Sequence, residues 1–390
     1  MSLIVQEREA GTGMKIPFDS EKLDRLMEAS ELMLVLASTR HNVRYLSGGY
    51  YYHFHAVSAR MGRSQYLSFV GIPRGRIADS FYVARPDERG QIESDGLWIP
   101  NIVEAVRGTV TAAEGVMKAM ESIGVTSGRI GVELPFLPAD AYLALRDRLP
   151  HVELVDATPV FDELRAIKSE EELDILREAY ERVAESIHVT FKNARSGDTT
   201  RQIAKRVELE MAKREVSFLF ALVCAGPGFL RAPSSTPWQS GHVLHIDAGG
   251  AQRDYVADIC RMGAIGAPTK LANDLYEACI EVQAKVRSRI RAGVRCGDIV
   301  EEGERASGAY SFSSYARFVV HSVGMVSYEQ PTFSPFSPRL LEPGMVLSVE
   351  TDFLHPEVGH VKIEDAVAVT AAGCEGLGDI GREWQIVSSR

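Results

Sequence analysis

Asp247, Asp258, His321, Glu350 and Glu364 are the residues of this chain whose types and order point to chemistry. Four carboxylates and one imidazole, with no cysteine among them, form a hard, oxygen-rich donor set. Such a set suits two divalent ions of the Mn, Fe, Co or Zn kind and not a thiolate-bound structural zinc. Paired ions of that kind commonly activate a water for hydrolysis. The five residues are far apart in the chain, so the elements that carry them must converge.

Each of the five sits in a segment that reads as a β-strand or its edge. Asp247 ends the run HVLHID and Asp258 lies in DYVADIC, with AGGAQR, rich in turn residues, between them. That pattern predicts a hairpin with the two carboxylates opposed on one face. Carboxylates so placed repel and raise each other's pKa unless a cation joins them. Taken singly, the two also fit an Asx turn and a solvated strand residue. Glu350 in MVLSVETDF and Glu364 in VKIEDAVAV have apolar neighbours, where a carboxylate is costly to bury unless paired or metal-bound. Strand alternation turns Asp365 to the opposite face from Glu364. His321 follows RFVV and, taken alone, is an ordinary core or surface histidine. Together, the five make a metal centre the expected reading.

The chain has 390 residues, enough for about two domains. Hydrophobic residues at 45% and charged residues at 25% are ordinary for a globular protein. A net charge of −10 argues against a nucleic-acid partner. No apolar run approaches the ~18–20 residues that span a bilayer, and MSLIVQEREAGTG lacks a signal-peptide pattern. Five scattered cysteines with no CxxC pair fit reduced thiols, so the expectation is a cytoplasmic protein.

To about residue 160 the chain alternates helix and strand. A helix is expected over 18–32, capped by Asp19 or Ser20, then a buried strand over 32–38 and a glycine turn ending NVRYLSGG. Further strands are expected in YLSFVGIPRG, SFYVAR and RIGVEL, and helices in VTAAEGVMKAMESIG and PADAYLALRDRLP. That is an α/β layer domain. The segment 155–172 reads as a junction closing on a capping box, Ser169 with Glu172. A long helix to about Lys192 and a second helix after Gly197 follow. From His242 onward come strand pairs, interrupted by one long helix, ANDLYEACIEVQAKVRSRIRAG. No repeat or low-complexity tract is present.

The strand segments resemble the pita-bread metallopeptidase family of methionine aminopeptidase, aminopeptidase P and prolidase. The phrases that match are Asp247-Ala248-Gly249 with Tyr255-Val256-Ala257-Asp258-Ile259-Cys260-Arg261, His321-Ser322-Val323-Gly324, Gly344-Met345-Val346 leading to Glu350, and Lys362-Ile363-Glu364-Asp365, where the family usually has Arg-Ile-Glu-Asp. The resemblance implies an α+β protein: a C-terminal pita-bread catalytic domain over 165–390, preceded by a smaller α/β creatinase-type N-terminal domain over 1–160. It implies that Asp258 and Glu364 bridge two divalent ions (Mn, Co, Fe or Zn), that Asp247 completes one shell, and that His321 and Glu350 complete the other. The water between the ions would attack an amide carbonyl, with Glu350 shuttling its proton to the leaving nitrogen. A homodimer is expected, with no nucleic-acid or membrane partner.

The pattern breaks at the substrate. Proline-specific members carry a second histidine in a His-Glu-x-Pro phrase; here that phrase is Tyr328-Glu329-Gln330-Pro331. A further family histidine upstream of the first ligand falls in Phe229-Leu230-Arg231-Ala232-Pro233, which has none. Tyr328 can donate one hydrogen bond but is no cation near neutral pH. Arg231 can grip a carboxylate with two parallel hydrogen bonds. His245 shares a strand face with Asp247, while His242 faces away; His245 fits either a supporting role beside the ligands or plain packing. His53 and His55, in the cluster Tyr50-Tyr51-Tyr52-His53-Phe54-His55, fit either a small-substrate lining or the rim of an amphipathic strand.

Three functions compete. The first is a dinuclear hydrolase of the Xaa-Pro aminopeptidase or dipeptidase kind, acting on a small peptide. The second keeps the fold and metals but cleaves a small non-peptide C–N bond, as in ectoine hydrolase. The creatinase route is disfavoured by the complete ligand set. The third is a catalytically silent binding protein, against which the same set argues.

Overall fold

The computed structural model describes residues 15–58 and 67–388. It divides into two compact units, with the boundary between Leu164 and Arg165.

In the first unit a mixed six-stranded sheet has the order β4-β3-β2-β1-β5-β6. Its strands are β1 (Leu32–Ala37), β2 (Phe69–Pro73), β3 (Phe81–Ala84), β4 (Asn101–Glu104), β5 (Gly128–Val132) and β6 (Val152–Asp156). Strand β1 is apolar throughout because both of its faces are covered. Val35 and Ala37 join one buried cluster, with Leu23 and Met27 of the helix Ser20–Ala29. Leu34 and Leu36 join the other, with Val116 and Met120 of the helix Thr109–Ser122. Asp19 caps the first helix by accepting from the Lys22 N–H at 2.8 Å. The expected helices and strands are present; β4 and β6 were not expected.

The second unit opens on the helix Glu170–Asn193, whose capping box is complete: the Ser169 hydroxyl accepts from Glu172 N–H and the Glu172 carboxylate accepts from Ser169 N–H. The helix Thr200–Lys213 follows. Strands β7 (Ser217–Ala225), β8 (Val243–Gln252), β9 (Tyr255–Ile265), β10 (Ala316–Ser322), β11 (Val346–His355) and β12 (Gly359–Val369) then form a sheet in the order β10-β11-β12-β9-β8-β7. Two short strands, β13 (Cys374–Leu377) and β14 (Gln385–Val387), pair with β12 and β9.

Period-two alternation decides which face does what. Leu347, Val349, Phe353, Val361, Ile363 and Val367 lie on one face of β11 and β12, in apolar clusters shared with the helices Lys270–Arg287 and Cys296–Ser307. The other face of the same strands carries Glu350, Lys362 and Glu364. Strand β7 and the helix Cys296–Ser307 were not expected.

Two expectations are corrected. Strands β8 and β9 form the predicted hairpin, but AGGAQ continues β8, and the turn is Arg253-Asp254, both at positive φ (48° and 67°), as a two-residue hairpin requires. In the resulting register Asp247 faces Cys260 and Asp258 faces Gly249, so the two aspartates are diagonal neighbours on one face and not directly opposed. The segment Tyr50–His55 is no strand rim: it leads into the helix His53–Ser58.

Candidate metal centre

Five strands bring the five ligand-type residues to one face of the second sheet. Asp247 comes from β8, Asp258 from β9, His321 from β10, Glu350 from β11 and Glu364 from β12. Register fixes the neighbours: Glu350 pairs with Glu364, and His321 pairs with Ser348, which lies on the same face of β11 as Glu350. All five are buried, at 1–7% exposure. That burial is the reason the arrangement needs a cation: ionised carboxylates gathered away from water are unfavourable unless paired or metal-bound.

Asp258, His321 and Glu364 each offer one ligand atom within 4.8 Å of the other two. Asp258 Oδ1 and His321 Nε2 are buried and make no hydrogen bond. Two orphaned donors of metal-ligand type, facing a third, fit a divalent ion. The His321 ring is held by its neighbours. Its Nδ1 donates to the Ser322 carbonyl at 3.1 Å, which leaves Nε2 facing the carboxylates, 3.3 Å from Glu350 Oε1 and 3.8 Å from Glu364 Oε1. The Tyr328 ring stacks on the imidazole, with centroids 4.2 Å apart and planes at 26°. The Ser348 hydroxyl donates to Glu364 Oε1 at 2.8 Å and orients that carboxylate.

A residue that sequence reading did not single out occupies the other part of the centre. Lys362, on the face of β12 that carries Glu364, is 2% exposed. Its ammonium lies 2.8 Å from Asp247 Oδ2, 2.6 Å from Glu350 Oε2 and 2.7 Å from Glu364 Oε2. Strand alternation from Glu364 places Lys362 on this face, and that was the available signal. Burial alone would lower the Lys362 pKa, but Glu364, Asp247 and Glu350 outweigh it and hold it well above the ordinary lysine range. Glu350 is kept ionised below the usual carboxylate range: burial opposes this, and Lys362 and His321 more than offset it. For Asp258 the balance is reversed, and Lys362 offsets only part of it. Burial first, then Glu364 and Asp247, push its carboxyl well above its ordinary value.

Beside these groups Arg231 Nη2 donates to Asp247 Oδ2, so one nitrogen of its guanidinium is engaged with that carboxylate. His245 is fully buried, 3.8 Å from Asp247 through Nε2, and stacks on His360 with centroids 4.3 Å apart. Burial, then His360 and Lys362, hold its pKa well below the ordinary value, so it is neutral. His360 in turn contacts Asp352 at 3.0 Å, and Arg317 pairs with the same carboxylate. Sequence reading missed these three. Asp365 does face away, where Arg261 donates to it at 2.6 Å. His53 and His55 belong to the first unit. His53 is exposed and its N–H donates to Gln91 Oε1. His55 is buried beside Ser68 Oγ at 2.8 Å, and burial lowers its pKa to about 4.

The pH dependence of ion binding has a definite sign. Burial lowers the His321 pKa, but Glu350 and Glu364 outweigh it and raise it to about 10. In the ion-free protein this group adds stability below its unfolded value near 6.5, and that stability is lost as pH rises through about 10. An ion bound there would take the place of the His321 proton, so affinity would fall as pH falls. Calorimetric titration with Mn(II) at pH 7, in two buffers of different ionisation enthalpy, should show about one proton released per ion. Binding without proton release would contradict this electrostatic picture.

Residues 174–371 match metallopeptidase family M24, and residues 20–167 match the creatinase/prolidase N-terminal domain. The chain belongs to metallopeptidase family M24. This M24 chain is 24% identical over 273 residues to a protein named Xaa-Pro dipeptidase from Pyrococcus horikoshii, covering 68% of this chain and 76% of that one. It is 28% identical over 261 residues to the uncharacterized peptidase YqhT of Bacillus subtilis, covering 65% and 73%. Its fold matches the crystal structure of a dipeptidase from Pyrococcus horikoshii with a TM-score of 0.81 at 20% identity over 95% of this chain and 99% of that one. It also matches an X-Pro aminopeptidase from Thermotoga maritima with a TM-score of 0.79 at 19% identity over 95% and 99%. The pita-bread fold, the creatinase-type first domain and a hydrolase of the metallopeptidase type are thereby established for this M24 chain. The family carries divalent metal. No helix among the described residues is long and apolar enough to cross a membrane.

Proposed function

We propose that this M24 chain is a divalent-metal-dependent hydrolase of a small peptide or other small amide, with the ion held by Asp258, His321 and Glu364. The observation that carries the reading is the pair of buried, unbonded ligand atoms, Asp258 Oδ1 and His321 Nε2, facing Glu364. A divalent ion in such a set supplies a water of lowered pKa and a Lewis acid for an amide carbonyl. The protein's own groups do the rest. Glu350, held ionised, accepts a proton at Oε1, since Lys362 occupies Oε2, and passes it to the leaving nitrogen. Ser348 fixes Glu364, and the Ser322 carbonyl and Tyr328 ring fix His321. Sequence reading expected two ions; a second would have to displace Lys362 from Asp247 and Glu350.

Relatives named Xaa-Pro dipeptidase make Xaa-Pro dipeptides the first substrates to try. One observation favours a different small amide. Tyr328 stands where the proline-specific pattern has a histidine, and 71% of it is exposed over His321. It offers a phenol where an imidazole would donate to a developing oxyanion, and one lost donor costs roughly 10²–10³ in rate. A panel of Xaa-Pro dipeptides, Xaa-Pro tripeptides and N-acyl amino acids with added Mn(II), Co(II) or Zn(II) tests this. Xaa-Pro dipeptides should turn over well below about 10 s⁻¹, and Tyr328→His should raise that rate. Wild-type turnover of Xaa-Pro dipeptides at about 10 s⁻¹ or more would show the tyrosine to be a tolerated variation.

A further inference from the structure

Three carboxylates on three strands converge on one ammonium. Asp247 from β8, Glu350 from β11 and Glu364 from β12 each place an oxygen 2.6–2.8 Å from Lys362 Nζ. Asp247 Oδ2 accepts a hydrogen bond from the ammonium, and Glu350 Oε2 and Glu364 Oε2 lie at ion-pair distance from it. The oxygen that Asp247 presents to Lys362, Oδ2, also receives Arg231 Nη2. Asp247 is therefore bonded to two side-chain cations. Asp258 Oδ1 and His321 Nε2 make no well-formed hydrogen bond, and Nε2 meets only the carboxylate of Glu350 at 3.3 Å and that of Glu364 at 3.8 Å. The centre is asymmetric: one half is filled by protein cations, and the other half presents unused ligand atoms.

We propose that Lys362 is a built-in cation that takes the place of one of two ions, so that the centre loads a single divalent ion at Asp258, His321 and Glu364. The inference rests on the metal-dependent reading above and deepens it. Charge balance supports it. Asp247, Asp258, Glu350 and Glu364 carry four negative charges, and Lys362 and Arg231 supply two positive ones. The remainder is the charge of one divalent ion. A second divalent ion would leave a buried centre with two excess positive charges, which a low-dielectric interior opposes. A compact ammonium suits the position because its point charge lies 2.6–2.8 Å from three converging carboxylate oxygens.

The test is ion stoichiometry. The full-length protein is stripped with chelator, equilibrated with excess Mn(II), freed of unbound metal by gel filtration and analysed by elemental mass spectrometry. One manganese per chain is expected, with the electron paramagnetic resonance spectrum of an isolated Mn(II). Two per chain, or the spectrum of an exchange-coupled pair, would overturn the role of Lys362 and leave the hydrolase reading standing. No manganese would overturn both. Lys362→Met should then load a second ion; a folded Lys362→Met protein that still holds one would show that Lys362 is not what excludes it. Should that variant fail to fold, Asp247→Asn decides the matter. It should keep its single ion, because Asp247 is bonded to Lys362 and Arg231, and loss of that ion would overturn the assignment.

Discussion

Asp258→Asn is expected to lose the ion, to lower amide hydrolysis by roughly 10³-fold or more, and at the same time to raise the melting temperature of the ion-free protein at pH 7. The opposite directions follow from the burial of Asp258. Its carboxyl is pushed well above its ordinary value by desolvation, Glu364 and Asp247. A carboxyl whose folded pKa exceeds its unfolded one costs stability as pH rises above the unfolded value near 3.9. An amide of the same shape removes that cost and also removes the ligand. Calorimetry with and without Mn(II), alongside elemental analysis, reads both effects. The variant should melt higher than wild type without metal and should not respond to Mn(II), whereas wild type gains stability by mass action. Full manganese content in Asp258→Asn would exclude it as a ligand.

Glu350→Gln is expected to lower turnover by about 10²–10⁴-fold, the range for removal of a positioned acid–base group. The amide keeps the length of the side chain but accepts no proton and weakens the hold on Lys362, 2.6 Å away. Because Glu350 is not one of the three residues assigned to the ion, manganese content should stay near the wild-type value. The wild-type pH–rate profile should rise through a limb between about 6 and 8, as waters activated by divalent ions titrate. A Glu350→Gln protein with full metal and wild-type turnover would rule out the proton role.

The strands that converge on the candidate centre stood out because carboxylates in apolar strand runs are costly unless paired or metal-bound, and Asp247, Asp258, Glu350 and Glu364 all sit in such runs. Alternation correctly turned Asp365 away from Glu364, and Arg261 meets it there. Lys362 illustrates what a sequence withholds. Its face follows from Glu364, but a lysine in a strand usually turns its ammonium to water. Only the register that draws β8, β11 and β12 together shows three carboxylates waiting for it. The turn between β8 and β9 misled for a related reason. Gly249 and Gly250 read as turn residues, yet they serve close packing inside the strand. A Cβ on Gly249 would lie 2.3 Å from the Phe220 ring, and one on Gly250 2.5 Å from Val216. The turn falls to Arg253 and Asp254, where positive φ carries no strong sequence signal for arginine. The His245–His360 stack and the Arg317–Asp352 pair likewise depend on contacts between strands distant in the chain.

The most direct measurement is the anomalous difference map of a crystal equilibrated with Zn(II), recorded at the zinc edge. One peak is expected within ligand distance of Asp258, His321 Nε2 and Glu364, with the Lys362 ammonium still bonded to Asp247 and Glu350. A peak between Asp247 and Glu350 with Lys362 displaced, or no peak among these residues, would contradict the account.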